Sequence, residues 1–246
     1  MLNILVTGKS GRMGQAIIEA ISQNEGANLG ATHDAGENFS LALSQADAVI
    51  DFSHHTFTRT VLEEAIKQQK IVVIGTTGHS DEERAFIQEA ATQIPVVCAS
   101  NFSVGVNTLF WLTQKAAEIL PQSQFDIEVT EMHHKHKIDA PSGTARTLLD
   151  ILNKVTQTSY EKDVAHGRHG NIGARKPQEI GMHTLRGGDV VGDHTVMFAA
   201  DGERFELTHK ASSRMTFASG SVTAALWLQN QEKGLYDMQD VLGFKD

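Results

Sequence analysis

The sequence contains a single cysteine, Cys98. One cysteine cannot form an internal disulfide, and this favours a protein of the reducing cytoplasm. The chain also lacks a run of about 18 apolar residues, the length that a membrane-spanning helix requires. Its N-terminus enters a strand pattern at once, without the basic and apolar regions of a signal peptide. We therefore expect a soluble, cytoplasmic protein with no membrane partner.

Positive charge is also scarce, because 21 Lys and Arg residues stand against 30 Asp and Glu residues, for a formal net charge of −9. Proteins that bind nucleic acids contact phosphates through a basic surface, so this balance argues against a nucleic-acid partner. An anionic ligand would need a local cluster of cations. The length of 246 residues suffices for one large or two small domains.

One such cluster lies between Glu131 and Ala145, in the segment EMHHKHKIDAPSGTA. Three histidines and two lysines occupy residues 133–137, and a Pro-Ser-Gly turn then leads into a helical pattern at Thr144. A helix start offers unpaired backbone N–H groups and the positive end of the helix dipole. Gly143 and Thr144 could therefore hold a carboxylate while the loop supplies charge and exchangeable protons. The segment predicts an acid/base site for a small anion.

The same histidines allow a metal interpretation, in which His133, His134 and His136 would coordinate an ion in a hydrolase. Adjacent histidines in a loop cannot all face one ion, and no H-E-x-x-H or Cys/His spacing accompanies them. A solvated surface loop is the simpler alternative for a run of His and Lys. The helix start directly after the cluster favours the anion site, and we expect no metal.

A second motif follows the apolar run 2–6, where a glycine-rich turn leads into helical spacing. Gly8, Gly11 and Gly14 have the spacing G-x-x-G-x-x-G in place of the usual G-x-G-x-x-G. In a dinucleotide fold such glycines allow a tight turn, close approach of a pyrophosphate and close packing of helix on strand. The motif predicts a dinucleotide at the start of the first helix.

Asp34 follows the second predicted strand, 27–32, and lies 20 residues beyond the last glycine of the loop. A dinucleotide fold places there the carboxylate that accepts hydrogen bonds from the adenosine ribose hydroxyls. This carboxylate repels a 2′-phosphate, and the next residue, Ala35, is not basic. We expect NADH to be preferred. NADPH should also be accepted, because Lys9 and Arg12 could reach a 2′-phosphate.

Short apolar runs without a polar side indicate strands that are buried on both faces. Such runs continue after the second strand and alternate with helical patterns, which predicts an α/β fold with a parallel, doubly wound, Rossmann-like sheet. Ligands of such sheets bind beyond the carboxyl ends of the strands. The further strands are predicted at 48–52, 71–74 and 95–99.

Beyond residue 103 the pattern becomes that of a smaller α+β domain. A strictly alternating segment indicates a strand with one polar face, and we expect an open four-stranded mixed sheet covered by helices on one side. The last three strands are expected as antiparallel neighbours that turn at Gly187-Gly188 and Asp201-Gly202. A long polar segment, 157–178, is expected to be a mobile or interface loop. The four strands are predicted at 125–130, 181–186, 190–198 and 204–210.

Helical patterns at 218–230 and 235–242 close the chain, and we expect them to return to the first domain. Two domains follow from this organisation. A dinucleotide-binding domain comprises 1–103 and 215–246, and a substrate-binding and oligomerisation domain comprises 104–214.

The segment from Glu131 to Ala145 resembles the signature of the dihydrodipicolinate reductase family, and the resemblance extends over nearly the whole chain. It implies reduction of 4-hydroxy-tetrahydrodipicolinate to tetrahydrodipicolinate by NAD(P)H, in the diaminopimelate route of lysine biosynthesis. It also implies a small dicarboxylate substrate and a homotetramer built through the sheets of the second domain. The other segments that carry the resemblance are the glycine loop, GTTG at 75–78, ASNFSVGVN at 99–107 and HKASSRMTFA at 209–218.

Together, the motifs and the resemblance assign roles to individual residues. His133 is expected to donate the proton that accompanies hydride transfer, with Lys137 as a second donor. Substrate contacts are expected in the cationic loop, at the helix start and at one arginine, namely His134, Lys137, Gly143, Thr144 and Arg214. Cofactor contacts are expected in the glycine loop and at the carboxyl ends of strands, namely Gly8, Lys9, Ser10, Gly11, Arg12, Met13, Asp34, Gly75, Thr76, Thr77, Ala99, Ser100, Asn101 and Phe102.

Three other classes of protein are compatible with parts of the sequence. An amino-acid dehydrogenase of the aspartate or homoserine type would share the dinucleotide domain. A non-catalytic dinucleotide sensor would use its second domain for assembly alone, and a metal hydrolase would use the histidine cluster. If the reduced cofactor is oxidised only when 4-hydroxy-tetrahydrodipicolinate is supplied, the amino-acid dehydrogenase and the sensor are excluded. If turnover is insensitive to chelators, the metal hydrolase is excluded.

Overall fold

The computed structural model describes residues 1–245 and divides the chain into two compact units. Unit 1 comprises Met1–Val104 and Arg214–Asp246, and unit 2 comprises Gly105–Ser213. None of the helices in the described part of the chain has the length and apolar character needed to span a membrane.

The helices and strands of the chain are, in order, β1 (Leu2–Thr7), α1 (Arg12–Ser22), β2 (Ala27–His33), α2 (Phe39–Leu43), β3 (Ala48–Asp51), α3 (His55–Gln68), β4 (Ile71–Ile74), α4 (Asp81–Ala91), β5 (Pro95–Cys98), α5 (Val104–Ile119), β6 (Asp126–His133), α6 (Gly143–Thr156), α7 (Tyr160–Asp163), β7 (Val164–His166), β8 (Ile180–Arg186), β9 (Gly192–Ala200), β10 (Glu203–Ala211), α8 (Met215–Leu228), β11 (Gly234–Tyr236) and α9 (Met238–Val241).

Unit 1 is built on a six-stranded sheet in the order β11-β5-β4-β3-β1-β2, and all its neighbouring strands are parallel. Helices α1 and α8 bury apolar side chains against one face, and α2, α3 and α4 bury theirs against the other. Burial on both faces explains why the strands lack a polar side. The predicted doubly wound, Rossmann-like sheet is confirmed.

The edge strand β11 lies where the sequence predicted a helix. Residues 235–242 were expected to be helical, but Leu235 pairs with Val96 of β5 and only Met238–Val241 is helical. A strand of three residues at the edge of a sheet is too short to show a periodic pattern. Its pairing partner therefore determines its conformation.

Unit 2 contains a five-stranded mixed sheet in the order β10-β9-β6-β8-β7. Strand β6 pairs in parallel with β8 and antiparallel with β9. The mixed sheet was predicted correctly, but its expected number of four strands was wrong. The fifth strand, β7, lies within the polar segment 157–178 that was expected to be a loop.

The two predicted hairpins of unit 2 have different outcomes. Asp201 and Gly202 do connect β9 to β10, with Ala200 paired to Glu203. The hairpin at Gly187-Gly188 is wrong, because β6 lies between β8 and β9. The backbone N–H of Gly187 donates to the carbonyl of His133 (2.9 Å), so this glycine segment passes over the end of β6 instead of folding β9 back onto β8.

The polar segment 157–178 is attached to the sheet by its two arginines. Arg168 contacts both carboxylate oxygens of Glu128, at 3.0 and 2.8 Å, and Arg175 contacts Glu128 and Asp126. Burial would raise the pKa of Glu128, but these arginines and a histidine hydrogen bond lower it to about 2. Both arginines of the segment are therefore held by carboxylates of their own unit.

Candidate active site

Strand β6 carries the predicted proton donor on its buried face. Side chains two residues apart share one face of a strand, so Ile127, Val129, Glu131 and His133 point to the same side. The first two are core residues, whereas Glu131 is 0% exposed and His133 is 9% exposed. A buried carboxylate requires partners.

Glu131 has three such partners. Its Oε2 lies 2.6 Å from Nδ1 of His133, and Arg186 donates to both of its oxygens, at 2.8 and 3.0 Å. The backbone N–H of Ser142 donates to Oε1 at 3.1 Å. Burial would raise the pKa of Glu131, but the hydrogen bonds from His133 and Arg186 lower it to about 2. The carboxylate is thus ionised and fixes one nitrogen of the His133 ring.

A second buried histidine, His194, lies opposite Glu131 on the adjacent strand β9. Its ring packs edge-on against that of His133, with centroids 5.2 Å apart and planes at 75°. Its Nε2 lies 3.0 Å from Oγ of Ser142. Burial, together with the charge of His133, lowers the pKa of His194 to about 3, so this ring is neutral.

Ser142 connects these side chains to the start of α6. It is the N-cap residue, and its Oγ accepts a hydrogen bond from the backbone N–H of Ala145 at 3.2 Å. Among the described residues, no acidic side chain occupies the first turn of the helix. A Cβ added at Gly143 would meet no atom of the described chain within 4 Å. The first turn of α6, with Gly143 and Thr144, therefore has space and, within the described chain, no acidic side chain where the sequence predicts an anion.

The cationic loop precedes this helix. Lys137 pairs with Asp139, with Nζ and Oδ1 2.8 Å apart. Burial would raise the pKa of Asp139, but the hydrogen bond from Lys137 lowers it. The backbone N–H of His134 donates to the carbonyl of Val190 at 2.7 Å. Lys137 is thus held by an ion pair within its own loop.

Sequence reasoning missed Arg186, Ser142 and His194 as members of this group, and it named Glu131 only as the start of the motif. One available signal was the period of β6, because the alternation that buries Val129 continues to Glu131. The partners from other strands carry no local signal. Arg186 meets Glu131 only because β8 pairs with β6, so that His133 lies opposite Arg186.

In unit 1 the glycine loop forms a tight turn before α1. Gly8 has a φ of 64°, which favours glycine. A Cβ at Gly14 would lie 2.1 Å from the carbonyl oxygen of Gly8, so only glycine fits there. Within the described residues, no side chain caps α1 at Gly11 and its first turn has no acidic residue. Its unpaired N–H groups fit a phosphate.

Asp34 lies beside this turn, as predicted, but with a second carboxylate that the sequence reasoning missed. Oδ1 of Asp34 lies 3.4 Å from the backbone nitrogen of Ser10, and Oε2 of Glu37 accepts from the backbone N–H of Asp34 at 2.8 Å. The other oxygen of Glu37 forms an ion pair with Lys9. The hydrogen bonds from Lys9 and from the backbone of Asp34 lower the pKa of Glu37.

The remaining predicted cofactor residues follow β4 and β5, at the same carboxyl edge of the sheet as the glycine loop. A Cβ at Gly75 would collide with the ring of Phe52, at 2.1 Å. Thr76 is buried, and its hydroxyl donates to Asp51. Phe102 is 1% exposed in the core, so a ligand could contact this position only through its backbone. The other residues at this edge are Thr77, Ala99, Ser100 and Asn101.

Arg214 and the three histidines of the cationic loop are the remaining features that the sequence singled out. Arg214 precedes α8 in unit 1, whereas the other predicted substrate contacts lie in unit 2. His133, His134 and His136 do not form a metal site. In residues 1–245 no group of three or more His, Cys, Asp or Glu side chains has an arrangement that could hold a metal ion.

Comparisons with known proteins give a consistent result. Residues 2–102 match the family model for the N-terminus of dihydrodipicolinate reductase, and residues 105–242 match the model for its C-terminus. The chain is 65% identical over 243 residues to the 4-hydroxy-tetrahydrodipicolinate reductase of Akkermansia muciniphila, with 99% of this chain and 98% of the relative covered. It is 47% identical to the protein of the same name from Magnetococcus marinus, with 99% of each chain covered.

A solved structure shares the fold at lower sequence identity. Dihydrodipicolinate reductase from Paenisporosarcina sp. TG-14, solved with dipicolinate bound, aligns with a TM-score of 0.77 and 24% identity. The alignment covers 96% of this chain and 97% of that one.

Proposed function

The chain belongs to the dihydrodipicolinate reductase family, and from this membership we propose how its residues carry out the family's reaction. The reaction is the NAD(P)H-dependent reduction of 4-hydroxy-tetrahydrodipicolinate to tetrahydrodipicolinate, a step of the diaminopimelate route of lysine biosynthesis. The activity predicted from the sequence is therefore confirmed. Membership of this family also sets aside the sensor, the amino-acid dehydrogenases and the metal hydrolase.

Reduced nicotinamide dinucleotide supplies the hydride. The turn after β1 fits its pyrophosphate, because Gly14 lets the start of α1 pack closely against Gly8 and the N–H groups at the start of α1 have no side-chain cap within the described residues. Gly75 to Thr77 and Ala99 to Phe102 are proposed to line the nicotinamide half, at the same edge of the sheet.

We propose that NADH is preferred over NADPH. Asp34 and Glu37 place two carboxylates at the end of β2, where the adenosine ribose would bind. Glu37 also forms an ion pair with Lys9, one of the two cations, with Arg12, that could receive a 2′-phosphate. Initial rates with each cofactor test this preference. A kcat/KM at least tenfold higher for NADPH, equivalent to about 1.4 kcal/mol, would overturn it.

The proposed proton donor is His133. Loss of the 4-hydroxyl group as water leaves a conjugated cyclic imine, to which one hydride and one proton must then add. Since Glu131 engages Nδ1, Nε2 is the nitrogen that can give its proton to the substrate, and the imidazolium then becomes neutral. Lys137, in the same loop, is proposed as a second donor. The observation that carries this assignment is the buried contact of His133 with an ionised Glu131.

Two anion sites are proposed for the two carboxylates of the substrate. The first is the start of α6, where Gly143 and Thr144 offer backbone N–H groups and the Thr144 hydroxyl. The second is cationic and comprises Lys137 and His134, with Arg214 as a further candidate contact. Because a relative was solved with dipicolinate bound, we propose that this planar dicarboxylate also binds here and can report on the site.

The experiment that tests the proton donor compares wild type with His133→Gln and Lys137→Ala. Each variant should lose kcat by about 10²-fold or more, while NADH affinity is unchanged because the proposed dinucleotide contacts lie in unit 1. The profiles of kcat and kcat/KM against pH should lose one titration in His133→Gln. If that variant kept most of the wild-type kcat, His133 would only orient the loop.

A homotetramer is proposed as the assembly, in the cytoplasm. One face of the unit 2 sheet is covered by helices. The opposite face presents a row of threonines, of which Thr130 and Thr195 are partly exposed and Thr208 is exposed. An uncovered sheet face fits a subunit interface. Sedimentation at several protein concentrations tests the assembly, and a monomer at micromolar concentration would refute it.

A further inference from the structure

Four buried polar residues of unit 2 form a closed ring of contacts. Glu131 contacts His133 and the backbone N–H of Ser142, and His194 contacts the Ser142 hydroxyl and the ring of His133. Each member is at most 9% exposed. The ring therefore joins the proposed proton donor to the N-cap of α6, and His194 is the member for which the reaction provides no direct task.

The protonation of His194 follows from its contacts. Nδ1 is buried and has no hydrogen-bond partner in residues 1–245, whereas Nε2 contacts Ser142. Buried N–H groups without a partner are rarer than buried acceptors without one, which favours the tautomer in which Nε2 carries the proton and donates it to Oγ. The hydroxyl oxygen then accepts from both His194 and the backbone N–H of Ala145, which fixes its position at the helix start.

We propose that His194 is a positioning residue. Through its hydrogen bond to Ser142, it fixes the position of the proposed anion-binding start of α6 relative to His133. This inference rests on the proposed roles of His133 and of the start of α6. A positively charged His194 would face His133 and would carry a second buried N–H group, at Nδ1, which has no hydrogen-bond partner in residues 1–245. The other charged or titratable groups near it are Glu131, His209 and Lys137.

The test compares two substitutions at this one position. In His194→Gln the side-chain amide reaches the place of Nε2 and can still donate to Ser142, whereas His194→Phe keeps the ring against His133 but removes the donor. We expect His194→Phe to weaken dipicolinate binding and to lower kcat, each by about three- to tenfold, the effect of losing one hydrogen bond. In His194→Gln, dipicolinate affinity and kcat should both stay close to the wild-type values. NADH affinity should be unchanged in both variants.

A double-mutant cycle identifies the path of the effect. If His194 acts through Ser142, His194→Phe should change dipicolinate binding no further in a Ser142→Ala background. Additive effects would overturn the proposal, and so would a His194→Phe variant that loses thermal stability but keeps wild-type kinetics. Equal losses in the Gln and Phe variants would overturn it as well.

A separate variant distinguishes failure of this inference from failure of the proposed anion site. Thr144→Val removes a proposed substrate contact without touching His194, and it should weaken dipicolinate binding by itself. If Thr144→Val weakens dipicolinate binding while His194→Phe keeps the wild-type affinity for dipicolinate, only the positioning role is refuted. If Thr144→Val binds as the wild type does, the anion site itself is refuted, and with it the premise of the positioning role.

Discussion

His133 and Glu131 are joined through a contact of 2.6 Å between Nδ1 and Oε2, on the buried face of one strand. Arg186 contacts both oxygens of the same carboxylate, which keeps Glu131 from accepting a proton itself. A carboxylate bound to one nitrogen fixes the tautomer and the orientation of a histidine ring. The contact thus gives His133 the geometry of a general acid that uses Nε2.

The first prediction concerns this carboxylate. Glu131→Gln should lower kcat by about tenfold or more, because the neutral amide no longer stabilises the imidazolium form of His133. It should also lower the free energy of unfolding, by about 3 kcal/mol, because Arg186 loses its buried charged partner. Steady-state kinetics and urea unfolding measure the two effects.

The matched control is Glu128→Gln. Glu128 lies on the other face of the same strand and is held by Arg168 and Arg175, so its substitution also breaks ion pairs. It should cost stability but leave kcat within about twofold of wild type. Equal losses of kcat in both variants would show that the effect of Glu131→Gln reflects stability and not the orientation of His133.

The second prediction concerns the start of α6. Gly143→Ala should leave the fold intact, because the added Cβ meets no described atom within 4 Å and alanine favours a helix. The methyl group would nevertheless stand where a carboxylate of the ligand is proposed to bind. Dipicolinate binding should weaken by about tenfold while the melting temperature is unchanged or higher.

The control for this substitution lies further along the same helix. Asp150 is an exposed residue of α6 that pairs with Arg146, and Asp150→Ala should not change dipicolinate binding. Calorimetric titration of both variants decides the question. Wild-type affinity in Gly143→Ala would mean that the ligand does not approach the helix start.

Features that depend on neighbouring residues could be predicted from the sequence. The glycine turn before α1 and the Asp201-Gly202 hairpin both have the predicted form. Each is determined by the conformations available to a few adjacent residues. The strand patterns also succeeded for the strands of unit 1 that have four or more residues.

Pairing between distant segments could not be predicted in the same way. The position of β6 between β8 and β9 depends on which strands bury the most apolar surface together, and no local pattern contains that information. The candidate site shows the same limit. The sequence pointed to His133 and Lys137 through the motif, but Arg186 and His194 join them only through the strand register.

The third prediction concerns the choice of cofactor. Glu37→Gln should free Lys9 from its ion pair and allow it to meet a 2′-phosphate. The ratio of kcat/KM for NADPH to that for NADH should then rise by about three- to tenfold. Because the Lys9 side chain is partly exposed and that of Glu37 is exposed, the free energy of unfolding should hardly change.

The double substitution Lys9→Ala, Glu37→Gln is the control for this mechanism. If Lys9 provides the gain, the ratio should fall back towards the wild-type value in the double variant. A gain that persists without Lys9 would mean that removal of the Glu37 charge acts on the phosphate directly.

The last prediction concerns the dependence of stability on pH. Burial lowers the pKa of His194 from 6.5 to about 3, so between these values the unfolded chain binds a proton that the folded chain does not. The free energy of unfolding must therefore fall as pH decreases below 6.5, by at most about 1.4 kcal/mol per pH unit from this residue. Carboxylates with a lowered pKa, such as Glu131, add their own loss of stability only below about pH 4.5.

Urea unfolding between pH 5 and 6.5 thus isolates the histidines. His194→Gln should show a shallower slope than wild type in this window, since His209 and His79, whose pKa values burial also lowers, contribute equally to both proteins. Identical slopes would mean that His194 takes up a proton in the folded protein, and the neutral ring beside His133 would have to be abandoned.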